Sequence, residues 1–345
     1  PDSGFTVYPG FGNRHSYFGT SALTHALGEP CHVVRPLPAG EPPVPNGLPV
    51  YTLYFENDDD PQRRGGSDSV LDFTAPADGD YLARIGDVRG FGGADFAYRL
   101  TIRPARPDFT VKIETAKDFA FVPGGGQEYV VKADRLDGYE GEIRVAVEGL
   151  PPGFTASSPV TIEAGQHQAM GVIHAAADAV PPAPEAAKAA KLTARATIGG
   201  REVTREAGSL GEIKLNPKGA KLLVAIHPDG QSGAPVVADG KPMELTIHPG
   251  ETITALVKAN RLEFKDRIEF GTDDAGRNLA HGLIIDNIGL NGLMIPEEAS
   301  EGKFFITAAK WVPESTRLFF LRTKNAGGQA TQPIILHVKK RPADS

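Results

Sequence analysis

The chain has 345 residues, 40% of them hydrophobic and 23% charged, which is enough for two or three ordinary globular domains and does not make disorder the default. A net charge of −7 and a pI near 5.8, with no clustered basic face, argue against nucleic-acid binding. The single cysteine, Cys31, excludes a disulfide within the chain and any metal site built from several thiolates.

The 40 glycines and 29 prolines are spread as turn punctuation between short apolar runs, the pattern of an all-β protein. The opening PDSGFTVYPGFGNRHSYFG lacks the basic start and apolar core of a signal peptide, and a chain that begins on Pro-Asp reads as a piece of something longer. Within it Tyr8, Phe11, Tyr17 and Phe18 cluster with Arg14 and His15. Packing onto the neighbouring domain is the plain expectation for rings in irregular chain, and a sugar-stacking platform is the functional alternative. Residues 1–49 are otherwise irregular, and no run of about 18 apolar residues predicts a membrane span.

Residues 50–104 carry the densest β signal: VYTLYFE, SVLDFTAP, YLARIGDV and ADFAYRLTIRP, separated by the turns NDDDPQRRGGSDS, ADGD and RGFGG. This predicts an antiparallel meander or sandwich, ended by the two prolines of RPARPDF. A second unit is predicted over 105–210, with strands in FTVKIE, YVVKADRL, EIRVAVEGL, PVTIEAG, AMGVIHAAA, LTARATIGG and REVTREA. The prolines of AAADAVPPAPEAAKAAK (175–191) leave room for a loop with one helical turn. A third unit is predicted over 211–345, opening at GEIKLNPKGAKLLVAIHP.

The second and third units repeat each other. FVPGGGQEYVVKADRL (121–136) aligns without a gap on IHPGETITALVKANRL (247–262), sharing Pro123/Pro249, Gly124/Gly250, Val131/Val257, Lys132/Lys258, Ala133/Ala259, Arg135/Arg261 and Leu136/Leu262. DGYEGEI (137–143) then corresponds to EFKDRI (263–268), and VTIEAGQHQAMGVIHAA (160–176) lies over LMIPEEASEGKFFITAA (293–309). Matched order over most of a domain predicts duplication of one β-sandwich of about seven strands. The shared Pro-Gly sets the turn before a strand in which Val131 and Ala133 alternate with an exposed Lys132.

Reactive constellations are missing. No Gly-x-Ser-x-Gly elbow occurs, and Cys31 and His32 are neighbours that a strand would point to opposite faces. The nine histidines form no HExxH motif, and the triple glycine at 124–126 is followed by a strand without the Lys-Ser or Lys-Thr of a phosphate loop. The strongest ligand signal is the acidic turn Asn57, Asp58, Asp59 and Asp60 with Asp68, whose clustered oxygens suit calcium; the plain alternative is a solvated turn. Trp311 follows the strand FFITAA and is expected to close the core at a sandwich end, with an exposed binding role as the alternative. Acidic pairs that would serve a hydrolase are plentiful, but sequence does not place any two across a cleft.

ENDDDPQRRGGSDSVLDFTAPADGDYLARIGDVRGFGGADFAYRLTI (56–102) resembles the latter part of a bacterial pre-peptidase C-terminal domain. With RPARPDF and VEGLPPGF (147–154) it is similar to the version in large exported proteins of planctomycete bacteria, where immunoglobulin-like modules follow; IIDNIGLNGLMIPE (284–297) and TAAKWVPE (307–314) look like the second of these. The resemblance implies three tandem β-sandwiches: a partial, jelly-roll-like domain over 1–104 and immunoglobulin-like domains over 105–210 and 211–345. It implies a secreted or cell-surface, non-catalytic module for spacing, anchoring or protein–protein contact. Sandwich edges that pair with neighbours unless protected add self-assembly into an oligomer or fibre as a further route. Calcium is the only cofactor it implies, and other domains of a parent protein, surface proteins or polysaccharides are the partners. The alternative is a carbohydrate-binding accessory module of a larger secreted hydrolase, with Tyr8, Phe11, Tyr17 and Trp311 as the platform.

Overall fold

A computed structural model describes residues 41–42, 45, 55, 68–71, 73–75, 77–87, 89–114, 119–216, 220–230, 242–271, 275–280, 282–286 and 292–341. These residues fall into two units: one runs to Phe109 and takes in Arg135–Tyr139, and the other holds Thr110–Asp134 and everything from Glu140 on.

The described elements are nearly all strands, as the punctuation of the sequence predicts. The first repeat contains β1 (Asp108–Glu114), β2 (Phe119–Phe121), β3 (Gly126–Leu136), β4 (Ile143–Glu148), β5 (Phe154–Ala156), β6 (Val160–Ile162), β7 (Gln168–Ala175), β8 (Lys191–Ile198), β9 (Arg201–Ser209) and β10 (Ile213–Leu215). The predicted helical turn is present between β7 and β8 as α1 (Pro184–Ala187), begun by its proline. The second repeat contains β11 (Leu223–Pro228), β12 (Glu244–Ile247), β13 (Thr252–Asn260), β14 (Ile268–Gly271), β15 (Gly276–Arg277), β16 (Leu283–Asp286), β17 (Leu293–Ile295), β18 (Glu301–Ala308), β19 (Ser315–Leu321) and β20 (Ile334–Val338).

The sequence repeat is a structural repeat, closest in the first of the two sheets. One sheet runs β1-β3-β7-β5 in the first copy and β11-β13-β18-β16 in the second. The other runs β6-β4-β8-β9 in the first copy; in the second, β12-β20-β19-β15 is accompanied by the pair β14-β17. A parallel pair recurs as well, β2 with β10 and β12 with β20. Two sheets in this order are the arrangement of immunoglobulin-type sandwiches. Even the register is kept: Gln127 faces Ile173 and Val131 faces Ala169, while at the aligned positions Ile253 faces Ile306 and Val257 faces Gly302.

Alternation explains the burial. Val131 and Ala133 are buried on either side of an exposed Lys132, and Val257 and Ala259 flank an exposed Lys258 in the same way. In the second copy Val224, Ile253, Val257, Phe304 and Ile306 from one sheet meet Leu245, Ile247, Phe319, Leu321 and Leu336 from the other in one core.

The residues common to both copies hold turns. Gly124 and Gly250 sit at φ 74° and 80°, backbone that favours glycine, and their N–H groups donate to Ala175 and Ala308 O, both at 3.1 Å. The answering bonds run from Ala175 N to Gly125 O and from Ala308 N to Glu251 O, both 2.9 Å. Arg261 closes the loops beyond its strand, donating to Ala299 O at 2.8 Å, Asp266 O at 2.7 Å and Pro296 O at 2.6 Å. Arg261→Ala therefore strands three carbonyls and is expected to cost about 2–3 kcal/mol in urea unfolding. Arg261→Lys should recover little of it, because an ammonium lacks the planar fork that reaches three acceptors at once.

In the unit that runs to Phe109, Asp137 and Gly138 form a two-residue turn at φ 49° and 75°, closed by Tyr139 N donating to Leu136 O at 3.1 Å. The buried Asp137 carboxylate accepts from both terminal nitrogens of Arg103 and from Arg106 N at 2.8 Å, which pins the proline-rich RPAR segment. Arg135 lies beside Tyr139, its guanidinium 5.6 Å from the ring centre. The strands expected in SVLDFTAP, YLARIGDV and ADFAYRLTIRP are not found there: among the described residues of 68–107 the only ladder feature is a single bridge at Ser69. Leu82, Tyr98 and Ile102 are 93%, 75% and 78% exposed. Alternation assigns side chains to a common face, but burial also needs a paired neighbour strand and a second layer, and these described residues have neither. The turns themselves lie where the sequence puts them, with bends at 77–79 and Asp87 Oδ1 accepting from Arg89 N at 2.9 Å ahead of Gly90.

Candidate functional site

Charged groups from distant parts of the chain converge at one place among the described residues, the seam where the outer face of β3 and β7 meets the second copy. Because Tyr129 and Val131 point into the first core, Glu128 and Val130 point out of it. Glu128 Oε2 lies 2.9 Å from Arg277 Nε, and its Oε1 lies 3.6 Å from Arg322 Nη1; Glu128 and Arg277 are both nearly fully buried. A second pair joins Arg317, on β19, to Glu163, just after β6, with Nη2 2.5 Å and Nε 3.1 Å from the same carboxylate oxygen. Between the pairs Val130, Met170 and Val172 pack on Phe320 and Ala330. A shallow groove beside them is lined by Thr161, Gln166, Gln168, Asn278 and Arg317.

The backbones also meet. Ala330 N donates to Gly126 O at 2.9 Å, so the hairpin that follows β19 adds one bridge at the first residue of β3. A Cβ on Gly126 would lie 2.6 Å from Ala330 O, and one on Gly125 would lie 2.6 Å from Gln329 Oε1. The triple glycine that reads as a turn in the sequence is thus also a place of close approach. An arginine does not release its proton near neutral pH, so these clusters are not acid–base pairs; they fix two surfaces against each other.

Of the candidate site residues read from the sequence, Asp68 and Trp311 are described, and neither is among the side chains of the seam. Asn57, Asp58, Asp59 and Asp60 of the candidate calcium turn, and Tyr8, Phe11 and Tyr17 of the aromatic cluster, lie outside the described residues. Asp68 is exposed. Among the described residues no group of three or more His, Cys, Asp or Glu side chains is placed to hold a metal ion. Trp311 departs from its plain expectation: it is 59% exposed, and Val312 next to it enters the core instead. Its ring lies over Gly282, where a Cβ would approach the indole to 3.0 Å, so the side chain is seated on backbone and open to solvent.

Among the described residues two histidines are displaced below their ordinary value of 6.5. His174 is held down by burial, opposed in part by hydrogen bonds from its ring to the backbone of Gly124 and Ala175. His227 is lowered by burial and by Lys258. A histidine kept neutral in the fold but free to protonate when unfolded favours the unfolded state as pH falls through 6.5, and the loss stops growing below its folded value. Stability should therefore decline from pH 7.5 to 5.5, by at most about 1.4 kcal/mol per pH unit from His174. His174→Gln should flatten that part of the urea-midpoint profile, and an unchanged slope would remove the assignment.

No described protein family matches the chain, and no curated protein does. Among solved structures the chain is similar to a protein of unknown function from Porphyromonas gingivalis W83, at 11% identity over 66% of this chain and 99% of that one, with a TM-score of 0.21. It is also similar to a marsupial T cell receptor, at 9% identity over 70% of this chain and 100% of that one, again with a TM-score of 0.21. At those scores neither likeness supports an argument.

Sequence reasoning missed the seam. Glu128 and Arg277, or Glu163 and Arg317, are unremarkable alone and too far apart along the chain for any spacing rule. One signal was available: the repeat reads Gly125-Gly126 in one copy and Glu251-Thr252 in the other, a departure where the rest of the turn agrees.

Proposed function

We propose that this chain is a non-catalytic β-sandwich module of a larger exported or cell-surface protein, serving as a spacer, anchor or contact surface. One observation carries the reading: the side chains and glycines that both copies share go into turns, strand faces and loop closure, as Gly124/Gly250 with Ala175/Ala308 and Arg261 with its three carbonyls illustrate. What duplication kept is scaffold. The likeness of 56–102 to a pre-peptidase C-terminal domain fits a place beside other exported domains, and the acidic turn at Asn57–Asp60 with Asp68 is the proposed calcium brace. Turnover of any substrate in a broad polysaccharide and peptide hydrolysis screen would overturn the non-catalytic reading. A melting temperature unmoved between calcium and chelator would remove the brace.

Self-association is limited at one described sheet edge. β9 ends its sheet and carries Arg201, Glu202, Arg205 and Glu206, charges that oppose edge-to-edge pairing. A carbohydrate-binding accessory role is the second reading, favoured by the solvent-open Trp311 on Gly282. Trp311 is the only tryptophan, so its fluorescence reports that surface alone, and titration with plant and envelope polysaccharides would shift its emission if sugar stacks there.

A further inference from the structure

We infer that the seam between the two copies, which fall largely in one compact unit, is a built-in joint, a docked contact that opens without either copy unfolding, and that Gly125 and Gly126 are its keyhole. The second copy's core draws on none of the first copy's residues. The seam's apolar cluster is a separate patch of Val130, Met170, Val172, Phe320 and Ala330. Two ion-pair clusters and one backbone bridge add to the contact among the described residues. Small, partly polar contacts of this kind resemble the interfaces between domains that move, whereas a shared core does not separate.

The duplication shows that this face is adapted to its occupant. At the positions aligned with Gly125, Gly126, Glu128, Met170 and Val172 the second copy has Glu251, Thr252, Thr254, Lys303 and Phe305. Thr252 and Lys303 are exposed there, on the ordinary solvated face of a sheet. Register is common to both copies, and these differences lie where one copy receives the other. Glycine is needed at 126 for approach and at 125 for both approach and fit against Val122, whose Cγ2 would lie 2.6 Å from a Cβ there, since positive φ is confined to Gly124 in this turn.

The joint is read in the full chain by pulsed electron–electron resonance between spin labels at Thr197→Cys and Lys265→Cys, exposed positions on the two copies, with Cys31→Ser as background. Unmodified at the seam, the pair should give one narrow distance distribution. Gly126→Val should at least double its width while amide exchange in β4, β8, β13 and β18 stays protected. Ala330→Leu, which adds bulk from the other side, should act in the same way. An unchanged distribution in both variants would show that close approach at glycine does not hold the seam. Loss of protection in both copies together would show a single cooperative body and overturn the joint.

Discussion

Gly171→Phe should unfold the first copy, and adding Tyr129→Ala should restore it. Tyr129 is fully buried opposite Gly171, and its hydroxyl donates to Ser157 O at 2.7 Å. A Cβ on Gly171 would lie 2.3–2.4 Å from two ring carbons and the hydroxyl oxygen of that fully buried tyrosine. Gly171→Ala alone is therefore expected to cost about 3 kcal/mol, at the upper end of overpacking, and phenylalanine more. Tyr129→Ala alone should cost about 3–5 kcal/mol as a cavity that also strands Ser157 O. At the aligned register the second copy has Ala255 opposite Phe304, both fully buried, so the same space is filled from the other strand. The double variant transplants that solution and should lie within about 2 kcal/mol of the parent, since total volume is nearly kept. Urea unfolding of the four proteins gives the coupling energy directly. Strictly additive costs would show that the two copies do not share a packing scheme.

The same pair shows what could be read without coordinates. The repeat was legible because Pro-Gly turns, the Val-Lys-Ala alternation and the closing arginine depend on local backbone geometry, which a gapless alignment preserves. Register followed, because two strands aligned separately still face each other as their copies do. The size exchange was hidden. Tyr129 over Ala255 and Gly171 over Phe304 look like mismatches until the ladder makes one the complement of the other.

The first unit and the seam mark two limits of a different kind. From 68 to 107 the alternation of apolar residues is as regular as in the repeats, but alternation encodes only a face, and burial depends on partners it does not specify. Trp311 was expected to close the core, and the turn after β18 sends its smaller neighbour Val312 inward instead. At the seam the reverse holds. Ordinary charged residues become informative only when folding brings Glu128 to Arg277 and Glu163 to Arg317, and the sequence trace of it was the second and third glycine of GGG.

Arg277→Ala should be the most damaging single change at the seam. It removes the nearer of two guanidiniums from a buried carboxylate, leaving Glu128 with Arg322 at 3.6 Å. Breaking one side of a buried pair costs about 3–5 kcal/mol when the remaining charge has nowhere to go. If the joint opens, Glu128 regains water and the loss is capped at the free energy of docking. Replacing both partners, Glu128→Gln with Arg277→Met, removes the charges together and should recover most of the loss, because an uncharged pair of similar volume carries no desolvation penalty. The measurement is a double-mutant cycle on urea unfolding, with a coupling of at least about 2 kcal/mol expected. Raising salt should change that coupling little, since a pair this buried is poorly screened, whereas the exposed Lys258–Glu301 pair should lose whatever small coupling it has. Single variants that each cost under about 1 kcal/mol and simply add would mean that the apolar patch and the backbone bridge hold the seam, and that the ion pair is incidental to it.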